Sequence, residues 1–294
     1  MVNSQNIPLI IAGPQLRHLA KNKLSIWYVS RELIDCKPVI QEVDAPTKSQ
    51  VSIQGVQHIH WQLGEKCFIN LLSIDLDSEL AEKQRYTYDL TFTYEGKASS
   101  FAQELPEMCY SGYAAFSFKF VSQLENVLHG SCRKAHYPEQ DSLPQLANLV
   151  APDANDDLRP DIVLFTGDQV YVDDVAGPML HAIQQVIQAL GLFEEEIQGS
   201  KIQNSKELIG HPDCFYQRQN LLPETEINED LEKVFFKGKK KPVFTSVNAQ
   251  NHLIALNEMI ALYLLSWSSR LWSSIDLSAP DIATEFQPRY ASEK

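Results

Sequence analysis

Apolar and polar positions alternate in short runs over residues 1–120, a pattern typical of antiparallel β-strands. Within residues 85–94, Leu90 and Phe92 fall on one side of the predicted strand. The threonines that follow each of them, Thr91 and Thr93, fall on the other side. Four other runs rich in β-branched and aromatic residues are separated by turn-type residues: 24–30, 37–43, 66–74 and 114–120. Many short strands at this spacing predict an antiparallel β-sandwich.

The pattern changes near residue 123, where predicted strands and helices begin to alternate. Residues 126–132 and 161–166 are short apolar runs, and residues 142–150 between them have apolar positions at helical spacing. A strand, a helix and a strand within about 40 residues have the size of a βαβ unit with parallel strands. We therefore expect an α+β fold: an antiparallel β-sandwich over residues 1–122, then part of an α/β sheet with flanking helices over residues 123–294.

Two longer helices are predicted in the second half of the chain. The first covers residues 177–191 and ends at Gly191, with a stripe formed by Leu180, Ile183, Ile187 and Leu190. The second covers residues 251–272 and is apolar enough to require burial, with Asn251 as its N-cap. Residues 194–241 between them are polar, and we expect a long excursion or lid, in which lysines 237 and 239–241 form a solvated loop.

Charge and cysteine content narrow the classes of partner. The chain of 294 residues has a formal net charge of −13, which argues against a general nucleic-acid or anionic-membrane binder, because neutralising phosphates requires a basic surface. Five cysteines without a CxxC pair indicate a reduced chain with no disulfide framework. The N-terminus has no basic region before its short apolar run, so it does not resemble a signal peptide. These features predict a cytoplasmic protein.

The clearest chemical signal lies where two predicted strands end. Cys132 follows the first strand, Gly167 and Asp168 follow the second, and Tyr171 comes three residues later. Ligands of parallel α/β sheets bind beyond the carboxyl ends of the strands, so a thiol and a carboxylate should converge there. Cysteine, aspartate and tyrosine together are anionic metal ligands. The same residues also fit an ordinary strand-to-loop turn with a buried cysteine, and their spacing alone leaves both interpretations open.

Two segments together carry a family resemblance: GSCRKAH (130–136) and VLFTGDQVYVDD (163–174). They resemble the PhoD-like alkaline phosphatases, a branch of the metallophosphoesterase superfamily. Residues 13–30 are similar to the opening of that family's N-terminal β-sandwich, and residues 251–272 to its long helix between motifs. The resemblance implies a metal-dependent phosphomonoesterase or phosphodiesterase that acts on a small phosphate ester.

The resemblance also implies roles for individual residues. Cys132 and Tyr171 would ligate a ferric ion, and Asp168 would bridge that ion and neighbouring calcium ions; other divalent metals are possible. Arg133 lies where it could hold the substrate phosphate. Sites of this type activate a nucleophile and clamp the phosphoryl oxygens between metal ions.

The sequence departs from the family's pattern in its second half. A DDH-type segment after the long helix, and further aspartate or histidine ligands, have no counterpart here. Asn251 and His252 are similar to a metallophosphatase GNH motif but lack its glycine. We therefore expect the N-terminal portion of a longer protein, incomplete and inactive as a phosphatase on its own. The alternative is a non-catalytic binding or interaction module derived from a phosphatase.

Other candidate residues have commoner explanations. His58 and His60 fall on one face of a strand, a spacing that can bind metal but more often belongs to a surface pair. His211 and Cys214 have zinc-like spacing without a second pair of ligands. The tryptophans are expected in the core: Trp27, Trp61, Trp267 and Trp272.

Overall fold

The computed structural model describes eight stretches of the chain: residues 7–43, 49–110, 112–133, 142–149, 159–173, 175–221, 249–278 and 280–294. The chain divides into two compact units. The sandwich unit comprises Leu9–Gln62 and Phe68–Gln169, and the helical unit comprises Met1–Pro8, Leu63–Cys67 and Val170–Lys294. The chain is α+β, as predicted.

The predicted domain boundary between residues 122 and 123 falls inside the sandwich unit. Side-chain contacts cross that position. Lys83 pairs with Glu125 at 2.9 Å, and Arg159 Nη2 donates to the carbonyl of Ser117 at 3.5 Å. These contacts tie residues after 122 to the strands before it, so the compact unit continues to Gln169.

Two antiparallel sheets form the sandwich. The first has the order β1 (Ile10–Ala20), β2 (Lys23–Ser30), β5 (Cys67–Leu76) and β4 (Ile53–Gly64). The second contains β3 (Lys37–Glu42), β6 (Arg85–Tyr94), β7 (Lys97–Ser100) and β8 (Phe116–Lys119), with β6 paired to the other three. A short helix, α1 (Phe101–Glu104), follows β7.

The sandwich core confirms the predicted alternation. On β2 the buried side is formed by Leu24, Ile26 and Tyr28, and on β6 by Tyr86, Tyr88, Leu90 and Phe92. One apolar cluster contains side chains from both sheets. Phe101 of α1 lies edge-on to Tyr28 and to Phe92, with ring centres 4.9 Å and 5.7 Å apart. The alternating pattern is therefore sufficient to identify which faces of these strands meet.

Strand β4, which carries His58 and His60, lacks the regular alternation of buried and exposed side chains that marks β2 and β6. It lies at the edge of its sheet, and most of its side chains are exposed or half-buried. Trp61 is 51% exposed, so its predicted core position is wrong. An edge strand with solvent on both faces carries little of the pattern that identifies inner strands.

The predicted βαβ unit is present in the sandwich unit. Its elements are β9 (Val127–Gly130), α2 (Leu143–Leu149) and β10 (Ile162–Phe165). The two strands pair in parallel, with Val127 opposite Ile162 and Gly130 opposite Phe165. Asp161 Oδ2 accepts hydrogen bonds from the backbone N–H groups of Glu125 and Asn126, which holds the beginnings of the strands together.

The helical unit is built around α3 (Gly177–Leu190) and α4 (Leu256–Trp267), which pack against each other. The predicted stripe of α3 is buried, and Gly191 ends the helix in the left-handed conformation, with φ 58° and ψ 45°. Helix α5 (Gln287–Glu293) also packs against α3. None of the helices in the described residues is long and apolar enough to cross a bilayer.

The second predicted helix is shorter than residues 251–272, and Asn251 is not its N-cap. Asn251 lies in a 3₁₀ turn, Ala249–Asn251, and α4 begins only at Leu256. Glu258 fixes that start, because its carboxylate accepts hydrogen bonds from the backbone N–H groups of Ile254 and Ala255. The apolar run therefore extends beyond the helix at both ends.

The polar stretch that begins at residue 194 is packed in its described part. Ile202, Leu208 and Leu221 form a small apolar cluster with Ala255, and Phe215 and Tyr216 are also buried. Residues 194–221 are therefore packed, which their polar composition did not indicate. The lysines at 237 and 239–241 lie outside the described residues.

Candidate functional site

The parallel strands β9 and β10 bring the two predicted motifs side by side. Beyond the last strand pair, Thr166 N–H donates to the carbonyl of Gly130 at 2.9 Å. Arg133 N–H then donates to the carbonyl of Asp168 at 2.8 Å. The backbones of residues 130–133 and 166–168 thus stay in contact past the ends of the strands, at the edge where parallel sheets bind ligands.

Gly167 allows the thiol of Cys132 to approach the backbone of the second motif. Its φ of 92° is one that side chains with a Cβ rarely adopt. A Cβ added at Gly167 would lie 2.9 Å from Cys132 Sγ and 3.1 Å from Ser131 Oγ. The thiol therefore occupies the space that any other residue at position 167 would fill.

Gln169 adds a polar atom that the sequence argument did not single out. Its Nε2 donates to the carbonyls of Ser131 at 3.0 Å and Gly167 at 3.3 Å, which links the two motifs. Its Oε1 is buried and has no hydrogen-bond partner among the described residues. A buried oxygen without a donor is costly unless a water, a ligand or a cation satisfies it. In the sequence, the only indication of a role for Gln169 is its position inside the GDQ segment.

The structure locates some of the predicted site residues at the joined strand ends and leaves the position of others relative to that site a prediction. Cys132 and Asp168 are exposed at the joined strand ends. Arg133 contributes its backbone N–H to that junction, and its predicted contact with phosphate stays a prediction. Tyr171 is half-buried and belongs to the helical unit, so its predicted closeness to Cys132 also stays a prediction. Asp174 lies outside the described residues.

Within the helical unit, the segment after Tyr171 lies beside Asn251. Leu253 N–H donates to the carbonyl of Val172 at 2.7 Å, and Val175 N–H donates to the carbonyl of Asn251 at 3.3 Å. The side chain of Asn251 is fully buried, and neither atom of its amide group has a partner among the described residues. The residue interpreted as a helix cap is instead a buried amide next to the second motif.

The donor chemistry at the joined strand ends fits a metal ion. A thiolate, a carboxylate and the buried Gln169 Oε1 are all metal-ligand types. Cys132 and Asp168 would hold the ion, and the ion would supply Lewis-acid polarisation of a phosphoryl oxygen. Within the described residues, no three His, Cys, Asp or Glu side chains are grouped as a metal site.

The segment around His211 has a structural explanation. His211 Nδ1 accepts a hydrogen bond from Asp213 N–H at 3.1 Å, and this bond caps the 3₁₀ turn Pro212–Cys214. Burial raises the pKa of the Cys214 thiol above its ordinary value, which opposes the thiolate form that metals require. The zinc-like spacing of His211 and Cys214 is therefore explained by the capped turn.

Comparison with known proteins leaves the chain without an assigned family. No protein-family model matches the sequence, and no curated protein matches it at a significant level. The motif residues and their geometry are therefore what indicates a function for this chain.

Proposed function

We propose that this chain carries the first part of a metal-dependent phosphoester hydrolase site of the PhoD-like type. Cys132 and Asp168, both in the sandwich unit, are its proposed ligands. The role of Tyr171 as a further ligand is implied by the family resemblance. The observation that supports this proposal best is the approach of the Cys132 thiol to Gly167, directly before Asp168, at the carboxyl ends of two parallel strands. Both Cys132 and Asp168 are exposed, whereas a cysteine that only packs against a turn would be buried.

The proposed metal follows from the ligand types and the family resemblance, and the proposed substrate follows from Arg133. Thiolate, carboxylate and phenolate are anionic ligands that suit a highly charged ion. The resemblance to the PhoD-like phosphatases implies that this ion is ferric iron, with calcium ions beside it. Arg133 would bind a phosphate through its planar guanidinium group, which matches phosphate oxygens in a bidentate manner. The proposed substrate is therefore a small phosphate ester. A cytoplasmic location belongs to the same proposal, because a thiol ligand stays reduced there.

The proposal is tested by the colour of the iron complex. The chain is loaded with ferric iron, and the visible spectrum is recorded for the wild type and for Tyr171→Phe. We expect a phenolate-to-iron charge-transfer band in the wild type and its loss in Tyr171→Phe, because the phenolate oxygen is the electron donor. Tyr263→Phe, which changes a partly exposed tyrosine on α4, is the matched control and should keep the band.

Two results would contradict the proposal. A band that survives Tyr171→Phe would show that Tyr171 is not a ligand. Failure of the wild type to bind iron, calcium or another divalent ion would favour the non-catalytic binding module instead.

A further inference from the structure

The edge strand β4 carries two histidines that have no part in the proposed phosphoester site. His58 and His60 are two residues apart, so they lie on the same face of the strand. Their ring centres are 5.7 Å apart, and the ring planes are inclined by 59°. His58 is half-buried and His60 is exposed, so the pair lies where the sandwich meets solvent.

A buried asparagine on the neighbouring strand β5 orients His58. Asn70 is fully buried, and its Nδ2 donates to Ser30 Oγ at 3.0 Å and to the carbonyl of Phe68 at 2.9 Å. Both amide N–H groups are thereby used, so Asn70 Oδ1 acts as an acceptor. His58 Nε2 lies 2.8 Å from that oxygen and must carry the proton.

This hydrogen bond determines the tautomer of His58. A neutral imidazole that is protonated on Nε2 has its lone pair on Nδ1. Histidines that bind metals usually donate the other ring N–H to a carboxylate or carbonyl group, which fixes the ring and increases the basicity of the ligand nitrogen. The amide oxygen of Asn70 supplies such an acceptor. An ordinary surface pair needs no buried asparagine to fix one of its rings.

The separation of the two rings suits a shared ion. A zinc–nitrogen bond of about 2.0–2.1 Å places the ring centre about 3.2 Å from the ion, so two imidazoles at a tetrahedral angle have centres about 5 Å apart. The observed 5.7 Å is within a small side-chain rotation of that value. Water can fill the remaining positions, because His60 is exposed.

We propose that His58 and His60 form a second metal site, separate from the phosphoester site, for a borderline divalent ion such as Zn²⁺, Ni²⁺ or Cu²⁺. His58 binds the ion through Nδ1, and Asn70 is a positioning residue that holds its Nε2–H. Imidazole ligands favour these ions over calcium or magnesium, so the two proposed sites differ in the metals they select.

The test is a zinc titration followed by the ring nitrogens of the histidines in ¹H–¹⁵N spectra. The full chain is used in a Cys132→Ala/Asp168→Asn background, so that the proposed phosphoester site does not contribute. We expect Zn²⁺ to shift Nδ1 of His58 and one nitrogen of His60, while Nε2 of His58 stays protonated. Zinc affinity from calorimetry should fall at least about tenfold in His58→Ala and in His60→Ala, since even outer-shell partners of a metal are worth 10–100-fold.

Two further variants separate a metal site from a structural pair. His18→Ala removes an exposed histidine on β1 and should leave zinc affinity unchanged. Asn70→Leu removes the acceptor of His58, and we expect about 10–100-fold weaker zinc binding and a mixed tautomer of His58. Zinc affinity that is unchanged in His58→Ala/His60→Ala, or zinc bound at Nε2 of His58, would overturn the proposal.

Discussion

At the scale of single residues, the geometry of the candidate site depends most directly on Gly167. Its positive φ and its contact with the Cys132 thiol are two separate reasons for glycine at this position. A substitution that adds only a methyl group tests both reasons. Backbone strain should lower stability, and displacement of the thiol should lower metal affinity.

Gly167→Ala should weaken metal binding and also reduce stability. The added Cβ would lie 2.9 Å from Cys132 Sγ, so the thiol must move from its present position. The left-handed backbone should cost about 1–2 kcal/mol in the free energy of unfolding. The measurements are ferric-iron affinity and urea unfolding.

Gly96→Ala is the matched control for this prediction. Gly96 also has a positive φ, 76°, but an added Cβ there meets no atom within 4 Å. It should lose similar stability and keep its iron affinity. Iron affinity that is equal in Gly167→Ala and Gly96→Ala would contradict the role of Gly167 in positioning the thiol.

At the scale of elements, a buried ion pair joins the packed polar stretch to the start of α4. Both Nη2 contacts from Arg218 to the Glu258 carboxylate are 2.7 Å long. Arg218 also donates to the carbonyls of His252 and Cys214 at 2.6 Å and 3.1 Å. The two charged side chains are 0% and 2% exposed, so water does not screen them.

Arg218→Met should destabilise the helical unit by about 3–5 kcal/mol, because it leaves the Glu258 carboxylate buried without its cation. The free energy of unfolding is measured by urea titration with helical circular dichroism. Lys83→Met removes one partner of the exposed Lys83–Glu125 pair and should cost less than about 1 kcal/mol. A loss for Arg218→Met as small as the loss for Lys83→Met would contradict this account of the buried pair.

At the scale of the whole molecule, a complete two-metal site needs more ligands than are found together in the described residues. Hydrolysis by two metal ions requires a pair held about 3.5–4 Å apart. Within the part of the chain that the structure describes, no cluster of three His, Cys, Asp or Glu side chains is found. The proposed ligands Cys132 and Asp168, with Tyr171 as the resemblance implies, would serve one ion at most.

We therefore expect the 294-residue chain to show no turnover of p-nitrophenyl phosphate or its bis-ester with iron, calcium, manganese or zinc added in turn. Any turnover is compared in Asp168→Asn and in Asp75→Asn, which changes a half-exposed aspartate on β5 that pairs with Lys23. Turnover that Asp168→Asn abolishes and Asp75→Asn preserves would show that the missing ligands are present in this chain.

The sequence by itself determined the features that depend on local periodicity. The alternation on β2 and β6, the stripe of α3 and its end at Gly191 all follow from which positions face a core, and this information is contained within a few neighbouring residues. The approach of Cys132 to Gly167 was also predictable, since parallel strands joined by a helix bring their carboxyl ends together.

Only the tertiary structure decided the features that depend on distant partners. Helix α4 begins at Leu256 because Glu258 bonds the backbone before it and pairs with Arg218, 40 residues away in the sequence. The tautomer of His58 is set by Asn70 on another strand. Local patterns contain no record of these partners, because a hydrogen bond between separate elements depends on how the chain packs and not on the spacing of its apolar residues.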